Sequence, residues 1–184
     1  MLQSFDLFFV SSNKHKYLEA KKILNSFDIK LGFYKSELEE IQSDSLKKIA
    51  AKKAIHAFNK FKRPVIIEDD GLFINSLDGF PGPYSSYVFK TIGNKGILDL
   101  LANNRQAKFV SIISFYDKNN TKSFEAKVDG RISKTQQGNG WGYDPIFIPR
   151  SSTKTFAELT DKNKLSHRYK ALKKFASWYL RMQK

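Results

Sequence analysis

Apolar residues along the chain follow two different periods, which predict strands alternating with amphipathic helices. Residues 5 to 10 form a short apolar run, typical of a buried strand, that ends at the polar triplet Ser11-Ser12-Asn13. Small polar side chains in this position cap helices, so we expect a helix from about Lys14 to Leu24. The chain therefore begins with a strand, a polar loop and a helix.

A second helix is predicted between Ser43, as its N-terminal cap, and Pro64, which ends it because proline lacks a backbone donor. Its apolar residues recur at three- and four-residue steps, as on one face of a helix. They are Leu46, Ile49, Ala50, Ala54, Ala57, Phe58 and Phe61.

The second half of the chain predicts paired strands and a final helix. Residues 108 to 116 and 122 to 128 have the pattern of two strands around a polar turn at Asp117 to Thr121. The last helix is expected to start near Ser166, with an apolar stripe formed by Leu165, Tyr169, Leu172, Ala176 and Leu180. No repeat is visible, so the whole pattern predicts a mixed α/β (α+β) fold.

Three consecutive carboxylates follow the apolar segment PVIIE. We expect a short strand that delivers Glu68, Asp69 and Asp70 to its end, where Gly71 turns the chain. Successive side chains of an extended segment alternate, so Glu68 and Asp70 share one face and Asp69 occupies the other. Like charges this close raise pKa values unless a cation such as Mg²⁺ compensates. A solvated turn with a helix-capping aspartate is the alternative that these residues leave open.

Length and composition favour a single domain, 1–184, with two lobes. The 184 residues are enough for a sizeable core, and no linker-like stretch divides them. Without cysteine, any metal must be held by oxygen or imidazole ligands, which favours a hard ion such as Mg²⁺. The first residues lack the features of a signal peptide or membrane span, so we expect a cytoplasmic protein with no membrane partner.

The charge balance is strongly basic, with 32 Lys and Arg against 18 Asp and Glu and a formal net charge of +14. Such an excess attracts polyanions, among them nucleic acid, anionic membranes and nucleotide phosphates, without choosing among them. The acidic residues concentrate in two segments, Glu37 to Asp44 and Glu68 to Asp70, whereas the lysines are spread along the chain.

Three further segments have the composition of binding loops, although each also fits a structural role. SSNKHK, at 11 to 16, joins a strand end to a helix start, where backbone N–H groups bind phosphate; an ordinary capped helix explains it equally. In GNGWGYDP, at 138 to 145, Trp141 lies between glycines that let a purine approach, but a buried anchoring tryptophan is as common. His167 and Arg168 begin the last helix, where the dipole disfavours positive charge, so an anionic or electron-rich group is expected nearby.

In this order the motifs resemble those of the inosine triphosphate pyrophosphatase family, also called XTP/dITP diphosphatases. The resemblance spans nearly the whole chain and rests on six ordered motifs, which together are far more specific than any one. They are SSNKHK at 11 to 16, an acidic loop with Glu40, EDDGL at 68 to 72, GFPGPYS at 79 to 85, GNGWGYDP at 138 to 145 and SHR at 166 to 168.

The resemblance implies an elongated two-lobed mixed sheet flanked by helices, with a central active-site cleft, and usually a homodimer. The implied reaction converts deaminated purine triphosphates (ITP, dITP, XTP) to the monophosphate and pyrophosphate. It also implies Mg²⁺, with Mn²⁺ as a substitute, bound by Glu40 and Asp69, and Asp69 as the catalytic proton acceptor. The residues implied to bind the triphosphate are Asn13, Lys16, Lys53 and Lys162, and those implied to enclose and read the base are Trp141, Gly142, Tyr143, Asp144, His167 and Arg168. Ser11 and Asp70 are expected to contact substrate as well.

Two positions depart from the family's pattern: Asp70 stands where many relatives have Ser or Thr, and Ser86 where many have Lys or Arg. Lys90 follows four residues later and reaches the same place if that stretch is helical. Two alternatives remain: a Maf-like nucleotide pyrophosphatase, against which Asn13 and Lys16 argue, and a basic nucleic-acid-binding module, which leaves the acidic clusters unexplained. We expect no specific nucleic-acid partner.

Overall fold

The computed structural model describes residues 5–160 and 162–183. The strands are β1 (Leu7–Ser11), β2 (Leu31–Lys35), β3 (Val65–Ile74), β4 (Pro81–Gly82), β5 (Gln106–Tyr116), β6 (Thr121–Ile132) and β7 (Phe147–Pro149). The helices are α1 (Lys14–Asn25), α2 (Leu46–Phe61), α3 (Ser85–Thr91), α4 (Gly93–Asp99), α5 (Lys162–Leu165) and α6 (His167–Met182), with short 3₁₀ helices at Asn75–Leu77 and Phe156–Glu158. The predicted mixed α/β fold is confirmed.

The strands form a mixed sheet in the order β2-β1-β3-β5-β6-β7, with β4 paired to β3. β1 lies parallel to both β2 and β3, whereas β4 is antiparallel to β3 and β7 is antiparallel to β6. Parallel neighbours need a crossover connection, which α1 provides between β1 and β2.

The chain divides into two compact units. The first unit comprises the chain up to Asp69, Ser111–Ala126 and the chain from Arg168 onward; the second comprises Asp70–Val110 and Lys127–His167. Each unit has its own hydrophobic core. The core of the first unit includes Phe9, Leu24, Leu31, Phe115 and Phe175. The core of the second includes Leu72, Ile97, Phe109, Phe147 and Phe156.

Both predicted helices of the first half are present, but the cap of the second is not the predicted residue. The helix α2 is capped by Ser45, whose side chain accepts from the N–H of Lys48, so the prediction of Ser43 was wrong. Ser43 lies two residues before this cap, and its hydroxyl accepts from the N–H of Ser45. The helix ends because Lys62 adopts a left-handed conformation, φ 53°, before Pro64 is reached.

The predicted turn at Gly71 was wrong, because β3 continues through Gly71 to Ile74. Leu72 pairs with Gly82 in the antiparallel strand β4. A Cβ atom on Gly71 would lie 2.5 Å from the carbonyl oxygen of Gly82. The glycine therefore serves the close approach of two strands and not a change of chain direction.

The late elements match the prediction in kind and differ in extent. β5 and β6 form the predicted pair around a turn in which Asp117 Oδ1 accepts from the N–H groups of Asn119 and Asn120. In α6, Leu172 and Ala176 are buried as predicted, but Leu180 is 40 % exposed and was wrongly placed on the apolar stripe. None of the described helices combines the length and apolar character that a membrane span requires.

Candidate functional site

The end of β1 and the start of α1 form a polar corner in the first unit. The Asn13 side-chain oxygen accepts from the N–H groups of His15 (2.9 Å) and Lys16 (3.3 Å), which confirms the predicted cap. The Asn13 N–H in turn donates to Ser11 Oγ at 3.1 Å. This cap holds the first turn of α1 with its backbone donors at the helix terminus, where anions bind favourably.

Lys53 links the two carboxylates for which a metal role was predicted. Its Nζ donates to Glu40 Oε2 at 2.9 Å and to Asp69 Oδ1 at 2.7 Å. Lys53 is placed by α2 and Asp69 by β3, so elements distant in sequence converge here. Glu40, Lys53 and Asp69 therefore lie together in the first unit, as the resemblance implied.

The Asp69 carboxylate is buried, which disfavours its charged form. Only 8 % of the residue is exposed, and burial raises its pKa, while the nearby charges of Lys53 and Lys16 lower it. The Asp69 Oδ2 atom is buried and accepts no hydrogen bond within the described residues. Asp69 thus offers one oxygen without a partner and a greater affinity for protons than an exposed aspartate has.

These carboxylates fit a hard divalent cation bound with few protein ligands. No group of three or more His, Cys, Asp or Glu side chains able to hold a metal occurs in residues 5–160 and 162–183. Mg²⁺ suits such a site because it is commonly bound by one or two carboxylates together with water and substrate phosphates. The unpartnered Asp69 Oδ2 and the Glu40 carboxylate are the oxygens that this chain offers.

Glu68 and Arg168 form a buried ion pair in the first unit. Arg168 Nε lies 2.8 Å from both carboxylate oxygens of Glu68, and Arg168 Nη1 also contacts Glu19. Ser111 Oγ donates to Glu68 Oε1 at 3.1 Å. The side chains of Arg168 and Glu68 are 1 % and 0 % exposed. The anionic neighbour expected near the last helix is therefore carboxylate, and the base-reading role of Arg168 stays a prediction.

His167 and Asp70 meet within the second unit. The His167 ring stacks on Phe109, with centroids 4.4 Å apart and planes inclined by 9°. His167 Nε2 lies 3.8 Å from Asp70 Oδ2, and His167 Nδ1 is buried without a hydrogen-bond partner among the described residues. Glu68 and Asp70 thus face the start of α6 while Asp69 faces Lys53, which is the predicted alternation.

The glycine-rich loop supplies an aromatic surface with a charged pair beside it. Lys162 forms a salt bridge with Asp144, and its Nζ lies 5.4 Å from the centre of the Trp141 ring. Trp141 is partly exposed, whereas Asp144 is buried. Gly142 has φ 62°, a conformation that favours glycine, and no atom lies within 4 Å of a Cβ built there. Gly142 therefore lies in open space, next to Trp141 in the chain.

Tyr143, implied to enclose the base, is buried in the second unit. Its hydroxyl donates to the Ser85 carbonyl oxygen at 2.9 Å, and its ring packs edge-on against Phe89. Burial raises the pKa of the Tyr143 phenol well above its usual range, so the group stays protonated. Tyr143 fixes the loop that carries Trp141 and Asp144.

Sequence reasoning missed three residues that support these clusters: Glu19, Ser111 and Asn94. Asn94 Nδ2 donates to the Gly142 carbonyl oxygen at 3.0 Å and so holds the glycine loop. For Glu19 a signal existed, because Asn13, Lys16 and Glu19 follow at three-residue steps on one helix face. Ser111 and Asn94 act on residues far away in sequence, and no local pattern marks them.

Solved structures of known proteins define the class of fold. A HAM1 protein from Coxiella burnetii superimposes with a TM-score of 0.85 at 27 % identity, covering 97 % of this chain and 100 % of that one. The Ham1 protein of Staphylococcus aureus gives a TM-score of 0.79 at 30 % identity, covering 96 % and 100 %. The fold is that of Ham1 proteins.

Sequence comparison gives the same result. The Ham1 family model matches residues 7–178, and the chain belongs to that family. A protein of Methanopyrus kandleri is 48 % identical over 177 residues, covering 93 % of this chain and 94 % of that one, and is named a dITP/XTP pyrophosphatase. A protein of Pyrococcus horikoshii with the same name is 48 % identical, covering 94 % and 95 %. The predicted resemblance is confirmed, and neither the Maf-like nor the nucleic-acid-binding alternative is favoured.

Proposed function

We propose that this protein is a nucleoside triphosphate pyrophosphatase that hydrolyses ITP, dITP and XTP to the monophosphate and pyrophosphate, in the nucleotide pool of the cytoplasm. The observation that carries the proposal is the environment of Asp69: a buried carboxylate with one unpartnered oxygen, within reach of Lys53 and under the influence of Lys16. Membership of the Ham1 family and the names of its relatives support the reaction.

Asp69 acts as the proton acceptor for water in this proposal. Burial raises the pKa of its carboxyl, which makes the anion a stronger base than an exposed aspartate. Water attacks the α-phosphorus, the bond to the bridging oxygen of the β-phosphate breaks, and the proton of the water passes to the Asp69 carboxylate. Asn13, Lys16 and Lys53 hold the triphosphate in line for this attack, with Ser11 supporting Asn13.

Glu40 and Asp69 are the residues that would hold Mg²⁺, with Mn²⁺ as a substitute. Bound there, the ion neutralises phosphate charge and polarises the phosphoryl oxygens. Lys53 already donates to both carboxylates, so it keeps two like charges together before any cation arrives.

The second unit supplies the residues proposed to recognise the base. The partly exposed Trp141, with Gly142 beside it, provides a stacking surface. Asp144 forms a salt bridge with Lys162, whose Nζ lies over the Trp141 ring and which we propose contacts the triphosphate. We propose that Asp70 and His167, whose side chains lie 3.8 Å apart, also contact the substrate. Glu68 and Glu19 fix the direction of Arg168, which we propose donates to the keto oxygen of hypoxanthine or xanthine.

One assay tests the proposed function. Pyrophosphate and orthophosphate release are measured from ITP, dITP, XTP and ATP, with and without Mg²⁺. We expect pyrophosphate only, dependence on the metal, and discrimination against ATP approaching ~10⁴-fold, because an amino group would face donors and leave buried groups unpaired. Equal rates with ATP, or orthophosphate as the product, would refute the proposal.

Replacing Lys53 by methionine should move the acid limb of the pH profile to higher pH. The Lys53 charge lowers the pKa of Asp69, so without it the carboxyl keeps its proton up to a higher pH and the active anion appears later. The measurement is kcat/KM for dITP between pH 4 and 9 (roughly the range of protein stability). Lys52→Met, an exposed neighbour, is the control and should leave the limb in place. An unshifted limb in Lys53→Met would contradict the role of Asp69.

We also propose that the protein is a homodimer whose interface is formed by α3 and by residues that flank α3 and α4. Six large apolar side chains between positions 80 and 100 are exposed in the second unit, with Tyr87 the most exposed at 69 %. They are Phe80, Tyr84, Tyr87, Phe89, Ile92 and Leu100. Exposed apolar concentrations of this kind mark interaction surfaces, and self-association buries them.

The segment that contains Ser86 and Lys90 is helical, because both residues belong to α3. Residues four apart in a helix lie on one face, so Lys90 reaches the place of the lysine or arginine that many relatives have at position 86.

The variant Tyr87→Asp should separate the proposed dimer into monomers, because it introduces a charge into an apolar contact. Light scattering coupled to size exclusion gives the mass. Ile55→Asp removes another exposed apolar residue from α2 and should leave the mass unchanged. A wild-type protein that is monomeric at micromolar concentration would disprove the dimer.

A further inference from the structure

One face of the second unit is strongly basic and shares no residue with the proposed nucleotide site. Two surface cavities of about 540 and 640 Å³ adjoin one another there, and Arg131 and Arg150 line both. The other charged lining residues are Lys108, Lys127, Asp129 and Lys154. Positive charge is therefore spread over a surface that extends beyond one cavity.

The alternation of β6 arranges these cations in a row. Lys127, Asp129 and Arg131 are exposed, and the residues between them are buried. Lys127 and Arg131 are four residues apart on one face of the strand, a separation of about 13 Å. The backbone N–H of Arg150 donates to the Asp129 carbonyl oxygen at 2.9 Å, which brings Arg150 beside the row.

The positive charge of this face exceeds the negative charge that the described part of the chain places beside it. Within residues 5–160 and 162–183, no salt bridge involves Lys127, Arg131 or Arg150, and Asp129 is the one acidic residue lining either cavity. Lys108 Nζ lies over the Phe73 ring, 5.7 Å from its centre. Unpaired cations on an exposed surface release bound counterions when a polyanion replaces them, which favours binding.

We propose that this face, defined by Lys108, Lys127, Arg131, Arg150 and Lys154, binds the phosphate backbone of nucleic acid without regard to sequence. A row of cations over two adjoining cavities matches an extended polyanion better than one small anion. The cavities are lined mostly by charged and polar residues, whereas the centre of a protein–protein interface is depleted of charge. Ser151, Ser152 and Thr153 line one cavity, and serine and threonine are among the residues that commonly contact phosphate.

The test compares two double variants of the full-length protein that lose the same two positive charges. Arg131→Gln/Arg150→Gln removes the residues shared by both cavities, and Lys22→Gln/Lys173→Gln removes exposed lysines of the first unit. Binding of fluorescein-labelled single-stranded DNA and RNA of mixed sequence is followed by anisotropy at several salt concentrations. Hydrolysis of dITP and the thermal midpoint are recorded for each protein.

We expect the arginine variant to bind roughly tenfold more weakly at low salt and its salt slope to fall by ~1.4, because two phosphate contacts are lost. The lysine variant should bind as the wild type does, and both variants should hydrolyse dITP normally. Equal weakening in both variants would assign binding to net charge and overturn the proposal. No wild-type binding to DNA or RNA at low salt would overturn it too, as would binding only to phosphatidylglycerol vesicles in a parallel sedimentation assay. Anisotropy measures binding without turnover. A failure of the nucleic-acid proposal can therefore be distinguished from a failure of the proposed hydrolysis.

Discussion

Asp69→Asn should lower the turnover of dITP by at least ~10²-fold, because general-base assistance contributes ~10² to 10⁴-fold and the amide cannot accept the proton. The substitution keeps the shape of the side chain and removes its charge. Single-turnover measurement of pyrophosphate release at saturating dITP and Mg²⁺ gives the chemical step directly. Asp129→Asn, an exposed carboxylate outside the site, is the control and should retain wild-type turnover. Unchanged turnover in Asp69→Asn would remove Asp69 from the reaction.

The same variant should not lose stability at neutral pH. Burial raises the folded-state pKa of Asp69 above its usual value of 3.8, so the folded protein binds this proton more tightly than the unfolded chain. The stabilising contribution of the Asp69 proton is therefore fully present below pH 3.8 and is lost as pH rises through the folded-state pKa. Asparagine has no such loss, so the free energy of unfolding at pH 7 should equal or exceed that of the wild type. A large loss would indicate that the Lys53 pair, and not burial, dominates.

Arg168→Met should destabilise the protein by ~3–5 kcal/mol, because it leaves the fully buried Glu68 carboxylate without its cation. For a chain of this length the loss corresponds to a fall in Tm of roughly 6–20 °C. Thermal unfolding followed by circular dichroism measures the Tm, and denaturant unfolding measures the free energy of unfolding. Lys170→Met, an exposed site two residues further along α6, is the matched control and should change little. A Tm within 2 °C of the wild type (about 0.5 to 1 kcal/mol) would show that the pair contributes no net stability.

A second substitution separates stability from base recognition. In Glu68→Gln the Arg168 guanidinium keeps a polar partner and Glu19, so we expect a smaller loss than in Arg168→Met. If Arg168 reads the base, Arg168→Met should also raise the relative rate with ATP, whereas Glu68→Gln should retain the preference for dITP. Equal preference in both variants would confine Arg168 to a structural role.

Elements with a strong local signal were predictable from the sequence, and features that depend on distant residues were not. The cap at Asn13 and the face of α2 follow from neighbouring residues, and both are present. The prediction of a turn at Gly71 was wrong because a glycine is typical both of turns and of places where two strands approach closely. The close neighbour of Gly71 is Gly82, which is distant in the sequence and could not be identified from the local pattern. The prediction that Leu180 is buried was wrong because the apolar residues of α6 fit more than one helical stripe.

The candidate site shows the same division. The resemblance implied that Glu40, Lys53 and Asp69 belong together, and they are in contact. It gave no hint that Arg168 would be held by Glu68 and Glu19, since a guanidinium in a motif does not reveal its carboxylate partners. Partners separated by 100 residues or more in sequence are set by the packing of α6 against the first unit's strands.

Three neighbouring acids on β3 have three separate environments, because consecutive side chains of a strand leave on opposite sides. The environment of each acid therefore depends on its position in the strand. Deleting a single residue ahead of Asp69 would slip the strand's register and turn Asp70 toward Lys53, while Asp69 would face the guanidinium of Arg168. The segment should accordingly accept changes of side chain far better than any change of length, and a library of one-residue insertions and deletions across positions 65 to 69 would yield no active clones.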